Sequence, residues 1–129
     1  MICVIDASAA VEIVLRKSNA IDMINRIIAS EKVIAPALFY TETGNTFRKY
    51  IKGGYLEKDQ GVKLFKDSLK IVDEITDIAL LIDEAVNESI RLDHSVYDML
   101  YLVLARRNGA KLLTCDKKMQ ALYNALIEK

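Results

Sequence analysis

The sequence predicts an α/β fold, three layers deep (α/β/α), built on a short parallel sheet of four or five strands. Three observations carry this. Four brief apolar runs, rich in β-branched residues or Leu, recur along the chain. The stretches between them have helical periodicity, and parallel strands need crossover connections of that kind. The chain has 129 residues, 52% hydrophobic and 28% charged, which suits one compact domain spanning 1–129. Internal repeats, low-complexity tracts and Gly/Ser/Pro linkers are absent from the sequence.

The first strand is Ile2–Ile5. Ala7–Arg16 follows as a helix with Ala10, Val11, Val14 and Leu15 on its apolar side. Ala20–Ala29 places Ile21, Ile24, Ile27 and Ile28 on one stripe, and Val33–Ala35 is the second strand. Pro36, the only proline, stands where a first-turn proline is tolerated and opens a helix to about Lys52. Gly53-Gly54 stops it. Lys58–Leu69 is helical, with Val62, Phe65 and Leu69 spaced for one buried face, and Lys70–Val72 is the third strand. Asp77–Arg91 is helical. HSVYDMLYLVLARR, residues 94–107, is an apolar helix ended by Asn108-Gly109. Lys111–Thr114 is the last strand and Met119–Ile127 the terminal helix.

Several classes are excluded or disfavoured. No apolar run approaches the ~18–20 residues needed to span a bilayer. The apolar N-terminus lacks a basic leader and is interrupted by Asp6 and Glu12, so it reads as structure and not as a signal peptide. Cys3 and Cys115 are then expected as free thiols in a reducing cytoplasm, and with His94 they make no zinc pattern. The net charge is zero, but it is unevenly spread. Residues 43–70 carry seven Lys/Arg against three acids, residues 99–129 six against two, and residues 73–98 eight acids against Arg91 alone. Solvated helix faces account for such segments. A basic surface beside an acidic pocket, usable by an anionic polymer, accounts for them equally.

Four acids stand at telling positions. In an open parallel sheet, function collects beyond the carboxyl ends of the strands, where strand order reverses. Asp6 directly follows the first strand and Asp116 the last. Glu42 lies on the Pro36 helix, and Asp98 in the first turn of the apolar helix. Each has a plain alternative: Asp6 or Ser8, and Asp116, as helix caps; Glu42 as a solvated residue; Asp98 as part of a Ser95-x-x-Asp98 capping box. Asp98 fits its alternative least well, because an uncompensated carboxylate among apolar neighbours costs several kcal/mol. Together, four converging carboxylates would repel one another and bind protons more tightly. A hard divalent cation, Mg²⁺ or Mn²⁺, removes that penalty.

These motifs resemble the PIN domain, and within it the VapC-type toxin ribonucleases of VapBC toxin–antitoxin pairs. The resemblance covers nearly the whole chain. It is carried by Val4-Ile5-Asp6-Ala7-Ser8, by Pro36 with Glu42 and Asn45, by Tyr97 to Ala105 around Asp98, and by Thr114-Cys115-Asp116. It implies a metal-dependent endoribonuclease with Asp6, Glu42, Asp98 and Asp116 as the acidic set. It implies Ser8, Asn45 and Thr114 as supporting or substrate-facing groups, a homodimer, and a cognate antitoxin over the active-site groove. The sequence departs from the pattern at its end. KKMQALYNALIEK reads as helix, so a fifth strand is absent or very short.

In the mechanism this suggests, Asp6 and Asp116 are held rigidly at strand ends as metal ligands. Asp98 ligates or orients water, and Glu42 acts through water or accepts a proton. Single-stranded RNA is the expected substrate, since a specific cut needs splayed bases. Arg48, Lys49, Lys52, Lys117 and Lys118 are candidate phosphate contacts. One rival is a phosphohydrolase with Asp6 as nucleophile, although Ser8 stands where Asp-x-Asp would place a second acid. Another is a binding module without chemistry. Tyr97, Tyr101, Phe39, Tyr40 and Phe47 are expected in the core, and His94 in a cap or loop role. Nothing near Cys115 suggests an activated thiolate.

Overall fold

The computed structural model describes residues 1–127. The chain runs β1 (Ile2–Ile5), α1 (Ala7–Val14), α2 (Ala20–Ala29), β2 (Lys32–Pro36), α3 (Leu38–Lys52) and α4 (Lys58–Leu69). It continues through β3 (Glu74–Thr76), a 3₁₀ turn (Ile78–Leu80), α5 (Ile82–Leu92), α6 (Val96–Asn108), β4 (Lys111–Leu113) and α7 (Lys117–Ile127). The described residues form one four-stranded sheet in the order β3-β2-β1-β4, and every pairing is parallel. The predicted three-layer architecture is therefore found. Among the described residues α7 follows β4 and no fifth strand forms.

Alternation along the strands divides the core in two. Val4, Ile34 and Leu112 face one way and pack with α5, α6 and α7. Cys3, Ile5, Val33, Ala35 and Leu113 face the other way, against Ala9 and Ala10 of α1, Met23 of α2 and Phe39 of α3. α6 carries seven consecutive buried residues, Met99 to Ala105, as expected of a helix apolar all round and enclosed on every side. No helix among the described residues is long and apolar enough to cross a membrane. Cys3 and Cys115 are both free thiols, the first buried and the second exposed.

The third strand lies at Glu74–Thr76 and not at Lys70–Val72. Lys70 caps the end of α4, and the chain joins β2 only at Asp73. There the backbone N–H of Asp73 donates to the Val33 carbonyl and its carboxylate accepts the Val33 N–H, both at 2.8 Å. Ile71 and Val72 pack instead against the half of the core that holds Cys3, Ile5 and Phe39. Pro36 ends β2, opposite Thr76, and α3 begins two residues later. Its missing N–H is harmless at a strand end. The single helix expected over Asp77–Arg91 is split by the 3₁₀ turn, which Asp77 caps through Ala79 N–H at 3.0 Å. α1 stops at Val14, and Arg16 takes a left-handed backbone with φ 54°. α7 starts at Lys117, two residues earlier than expected, because Asp116 caps it. Gly53-Gly54 and Gly109 end their helices as expected, Gly54 at φ 80° and Gly109 at φ 57°.

Candidate active site

The strand order reverses between β1 and β4, with β1 flanked by β2 on one side and β4 on the other. Asp6 leaves β1 at that point, and its backbone N–H donates to the Leu113 carbonyl of β4 at 3.2 Å. It caps α1, and its side chain is more fully bonded than a cap requires. Oδ1 accepts Ser8 Oγ at 2.7 Å and the Ala9 N–H at 3.0 Å. Oδ2 accepts the Thr114 hydroxyl. A carboxylate offers about four lone-pair positions, so three donors fix it and leave one free. Asp6 is only 7% exposed. Burial pushes its pKa up, the three hydrogen bonds oppose that, and the nearby Asp116 charge adds to the rise.

Glu42 projects from α3 and is half-buried. Its Oε1 accepts the hydroxyl of Tyr101 at 2.7 Å. Its pKa is raised, chiefly by burial and further by the charges of Asp98 and Asp6, while the Tyr101 bond opposes the rise. Tyr101, 1% exposed in the middle of α6, holds its proton far more tightly than a free phenol because burial and these same acids disfavour its anion. It is a fixed donor. Asp98, in the first turn of α6, faces His94, whose Nε2 lies 2.6 Å from Asp98 Oδ2. The His94 backbone is clasped by Ser89: its N–H donates to the Ser89 carbonyl at 3.0 Å and its carbonyl accepts the Ser89 hydroxyl. The imidazole thus orients Asp98 from a locked loop.

Asp116 is exposed at the mouth. Its Oδ1 caps α7, accepting the N–H of Lys118 at 2.9 Å and of Met119 at 3.3 Å. The Thr114 hydroxyl, besides donating to Asp6, accepts the Asp116 N–H at 3.0 Å and so links the two acids. Ser8 Oγ lies 3.4 Å from that hydroxyl and accepts the Cys115 N–H at 3.0 Å. Asn45 is exposed one turn beyond Glu42 on α3, and among the described residues it bonds none of the acids.

The fold therefore gathers Asp6, Glu42, Asp98, Ser8 and Thr114 at one end of the sheet, sets Asp116 beside Asp6 at the rim, and leaves Asn45 outside. The capping alternatives for Asp6 and Asp116 are realised at the same time, since each acid caps a helix with one oxygen. Ser95 caps α6 through Tyr97 N–H at 3.1 Å, but Asp98 turns to His94 and completes no capping box. Two supporting groups escaped the sequence reading. Tyr101 was assigned to the core without its bond to Glu42. The His94 and Asp98 spacing, four apart across a helix start, was the available signal for the other. Phe39 and Phe47 are buried as expected, whereas Tyr97 is 64% and Tyr40 47% exposed. Both lie in the first turn of their helices, where one face still meets solvent.

Among the described residues no Lys or Arg forms an ion pair with Asp6, Glu42 or Asp116. Nor does any group of three or more His, Cys, Asp and Glu side chains close into a metal cage. The donor set nonetheless fits a hard divalent ion in kind. It offers only oxygen, with no Lys or Arg among the described residues paired to Asp6, Glu42 or Asp116, and Mg²⁺ is ordinarily held through one or two carboxylates with water filling the remaining positions. Asp6, with one free lone-pair position beside Asp116, Glu42 and Asp98, suits that mode.

Two predictions arise from this geometry. Because Asp6 and Glu42 bind protons more tightly when folded, the folded protein holds more protons between the ordinary carboxylate values, 3.8 and 4.5, and the raised ones. Their stabilisation is full below the ordinary values and is lost as pH rises through the raised ones. In chelator, the urea midpoint falls over that window, and millimolar Mg²⁺ lifts it again at neutral pH. A midpoint that is flat there, and equally flat in Asp6→Asn, contradicts the assignment. Second, Tyr101→Phe removes a buried bond to a charged group, with a cost of about 1.5–3 kcal/mol. It also raises the Glu42 pKa further, because a bond that favoured the anion is gone. Urea melts and carboxyl-carbon NMR titration read the two effects.

Comparison with known proteins places this geometry in a family. Residues 3–125 match the model of the PIN domain. The chain is 30% identical over 127 residues to Ribonuclease VapC12 of Mycobacterium tuberculosis, covering 97% of this chain and 96% of that one. It is 22% identical over 126 residues to Ribonuclease VapC3 of Pyrobaculum aerophilum, covering 96% of each. The fold is similar to the crystal structure of PAE2754 from Pyrobaculum aerophilum, with a TM-score of 0.74 and 21% identity over 92% of this chain and 77% of that one. It is also similar to Mycobacterium tuberculosis VapC20, described as a sarcin-ricin loop cleaving toxin, with a TM-score of 0.66 and 18% identity over 93% and 94%. Matched to that model over residues 3–125 and 30% identical to a ribonuclease VapC over nearly its whole length, the chain belongs to the PIN domain family.

Proposed function

We propose that this protein is a Mg²⁺- or Mn²⁺-dependent endoribonuclease, the toxin of a type II toxin–antitoxin pair, working in the cytoplasm as a homodimer and restrained by a cognate antitoxin. The single observation that carries the catalytic reading is the buried Asp6, wired by three donors and facing Glu42 and Asp98 without a cationic side chain. A structural carboxylate in that position would be expected to have an Arg or Lys beside it. The relatives named ribonuclease VapC support RNA as substrate and an antitoxin as partner.

Asp6, with Asp98 or Asp116, would hold the divalent ion, which would supply positive charge for a phosphodiester and acidify water. The protein's own residues do the rest. Ser8, Ala9 and Thr114 hold Asp6 in one orientation, so no reorganisation is needed when substrate arrives. His94 does the same for Asp98. Glu42, its pKa raised by burial and oriented by Tyr101, is the group suited to take the proton from attacking water. Hydrolysis breaks the P–O bond, and the leaving oxygen takes a proton from solvent or from Glu42. A phosphohydrolase with Asp6 as nucleophile fits less well, since three donors occupy that carboxylate and lower its nucleophilicity.

The test is cleavage of single-stranded RNA by the purified protein with Mg²⁺, Mn²⁺ or EDTA, with products mapped at nucleotide resolution. Internal cuts that need the cation and vanish in EDTA are expected. Absence of any cut with either cation removes the proposal, and a trapped aspartyl phosphate transfers the site to the phosphohydrolase class.

A further inference from the structure

We propose that the C-terminal end of α3 and the turn after it form a binding platform for a nucleobase and its flanking phosphates. A single-stranded RNA held at the acidic pocket would run along α3 and stack a base on Tyr55. The choice of ligand rests on the ribonuclease reading, but the platform is built from different residues.

Tyr55 is 78% exposed, yet its position is tightly set. Gly54, at φ 80°, turns the chain, and the Tyr55 N–H donates to the Tyr50 carbonyl at 3.0 Å. The ring lies over Gly53, where an added Cβ would sit 3.0 Å from two ring carbons. Its edge meets the Tyr50 ring at 75°, with centroids 6.1 Å apart. Tyr50 is fixed in turn: its hydroxyl takes Lys17 Nζ at 2.5 Å, and that ammonium lies 5.0 Å from the ring centroid. An exposed aromatic face held by a glycine, a second ring and a cation has already lost the freedom that binding would otherwise cost.

The charges around it are of the right sign, and those of Lys49 and Lys52 are unspent. Lys17, Lys49 and Lys52 are exposed, and among the described residues none of them forms an ion pair. Glu42, Asn45, Lys49 and Lys52 fall at i, i+3, i+7 and i+10 of α3, which is one face of a helix. That face leads from the acidic pocket to the Tyr55 turn over about 15 Å, at about 1.5 Å per residue. Cations along a track that ends in an exposed ring suit a single strand, whose phosphates are anionic and whose bases are free to stack. A duplex keeps its bases stacked internally and cannot use the ring. An acidic peptide would meet the lysines but gain less from the ring face.

The experiment measures binding, not cleavage, with a labelled single-stranded RNA in EDTA. Tyr55→Ala is expected to weaken binding about tenfold or more, and Tyr55→Phe to restore it. Gly53→Ala, which pushes the ring from its seat, should weaken binding although the tyrosine itself is retained. The chain contains no Trp, so Tyr55→Trp gives a single reporter, and base stacking should quench its fluorescence as RNA is added. Equal affinity of the parent and Tyr55→Ala, with an unquenched Tyr55→Trp, overturns the inference. So does an affinity for acidic peptide that falls with Tyr55→Ala while RNA affinity does not. Binding through Tyr55 by a protein that cuts no RNA leaves the platform standing and removes the ribonuclease reading. Cleavage with no role for Tyr55 does the reverse.

Discussion

Asp6→Asn lowers the rate of RNA cleavage by about 10²–10³-fold or more, and leaves the fold intact. The size follows from removing one preorganised charge at the centre of a low-dielectric pocket. The fold survives because the amide keeps the structural contacts. Asn caps a helix as well as Asp does, so the Ala9 N–H and the Ser8 hydroxyl still find an oxygen. The amide nitrogen replaces Oδ2 and donates to the Thr114 hydroxyl, which can accept by rotating its own proton. The substitution also removes a buried charge that folding disfavours, so in chelator the variant is at least as stable as the parent at neutral pH. Cleavage assays with Mn²⁺, urea melts in EDTA and calorimetric Mn²⁺ titration together read all of this. A variant that cuts RNA at the parent rate would leave Asp6 as nothing more than the cap of α1. A variant that fails to fold would show that the carboxylate serves architecture first.

Much of this site was legible in the chain because strand ends are. A β-branched run followed at once by Asp, as in Val4-Ile5-Asp6, states both the strand and the place where a parallel sheet delivers function. Thr114-Cys115-Asp116 repeats the signal, and the β1 and β4 pairing brings the two together. Glu42 and Asp98 were harder, since a helix position says nothing about which way the helix points until its neighbours are known. The residues that orient them were harder still. Tyr101 sits in a stretch buried on every side, where an apolar pattern hides one hydroxyl with a long-range partner, 59 positions away in sequence. β3 was misplaced for a related reason. Ile71 and Val72 look like strand residues, but their burial comes from a turn after α4, and the hydrogen bonds that define the strand begin at Asp73. Pro36 reads as a helix opener in the sequence, but it pairs with Thr76 and ends β2, a placement that depends on a partner strand distant in the chain.

Phe39→Ala lowers stability by about 3–5 kcal/mol, because a fully buried ring leaves a cavity that tightly packed neighbours cannot fill. The neighbours matter for function as well. Phe39 packs in the core cluster that contains Ile5 and Leu113, the residues directly before Asp6 and Thr114. It lies three residues before Glu42 in α3, so a collapse of the cavity displaces the helix that carries that acid. The ring therefore joins α3 to the packed cluster that holds the ends of β1 and β4, and one substitution loosens three arms of the site at once. Urea unfolding should show a lower midpoint with an unchanged slope, which marks lost native packing and not an altered denatured state. Phe39→Leu, which keeps most of the volume, should cost distinctly less. Below the melting temperature, the residual RNA cleavage of Phe39→Ala should fall further than its folded fraction does, because the folded molecules hold Asp6 and Glu42 less precisely. Cleavage that tracks the folded fraction alone would mean that the acids are positioned by their own hydrogen bonds to Ser8, Thr114 and Tyr101, and that the core beneath them supplies stability without register.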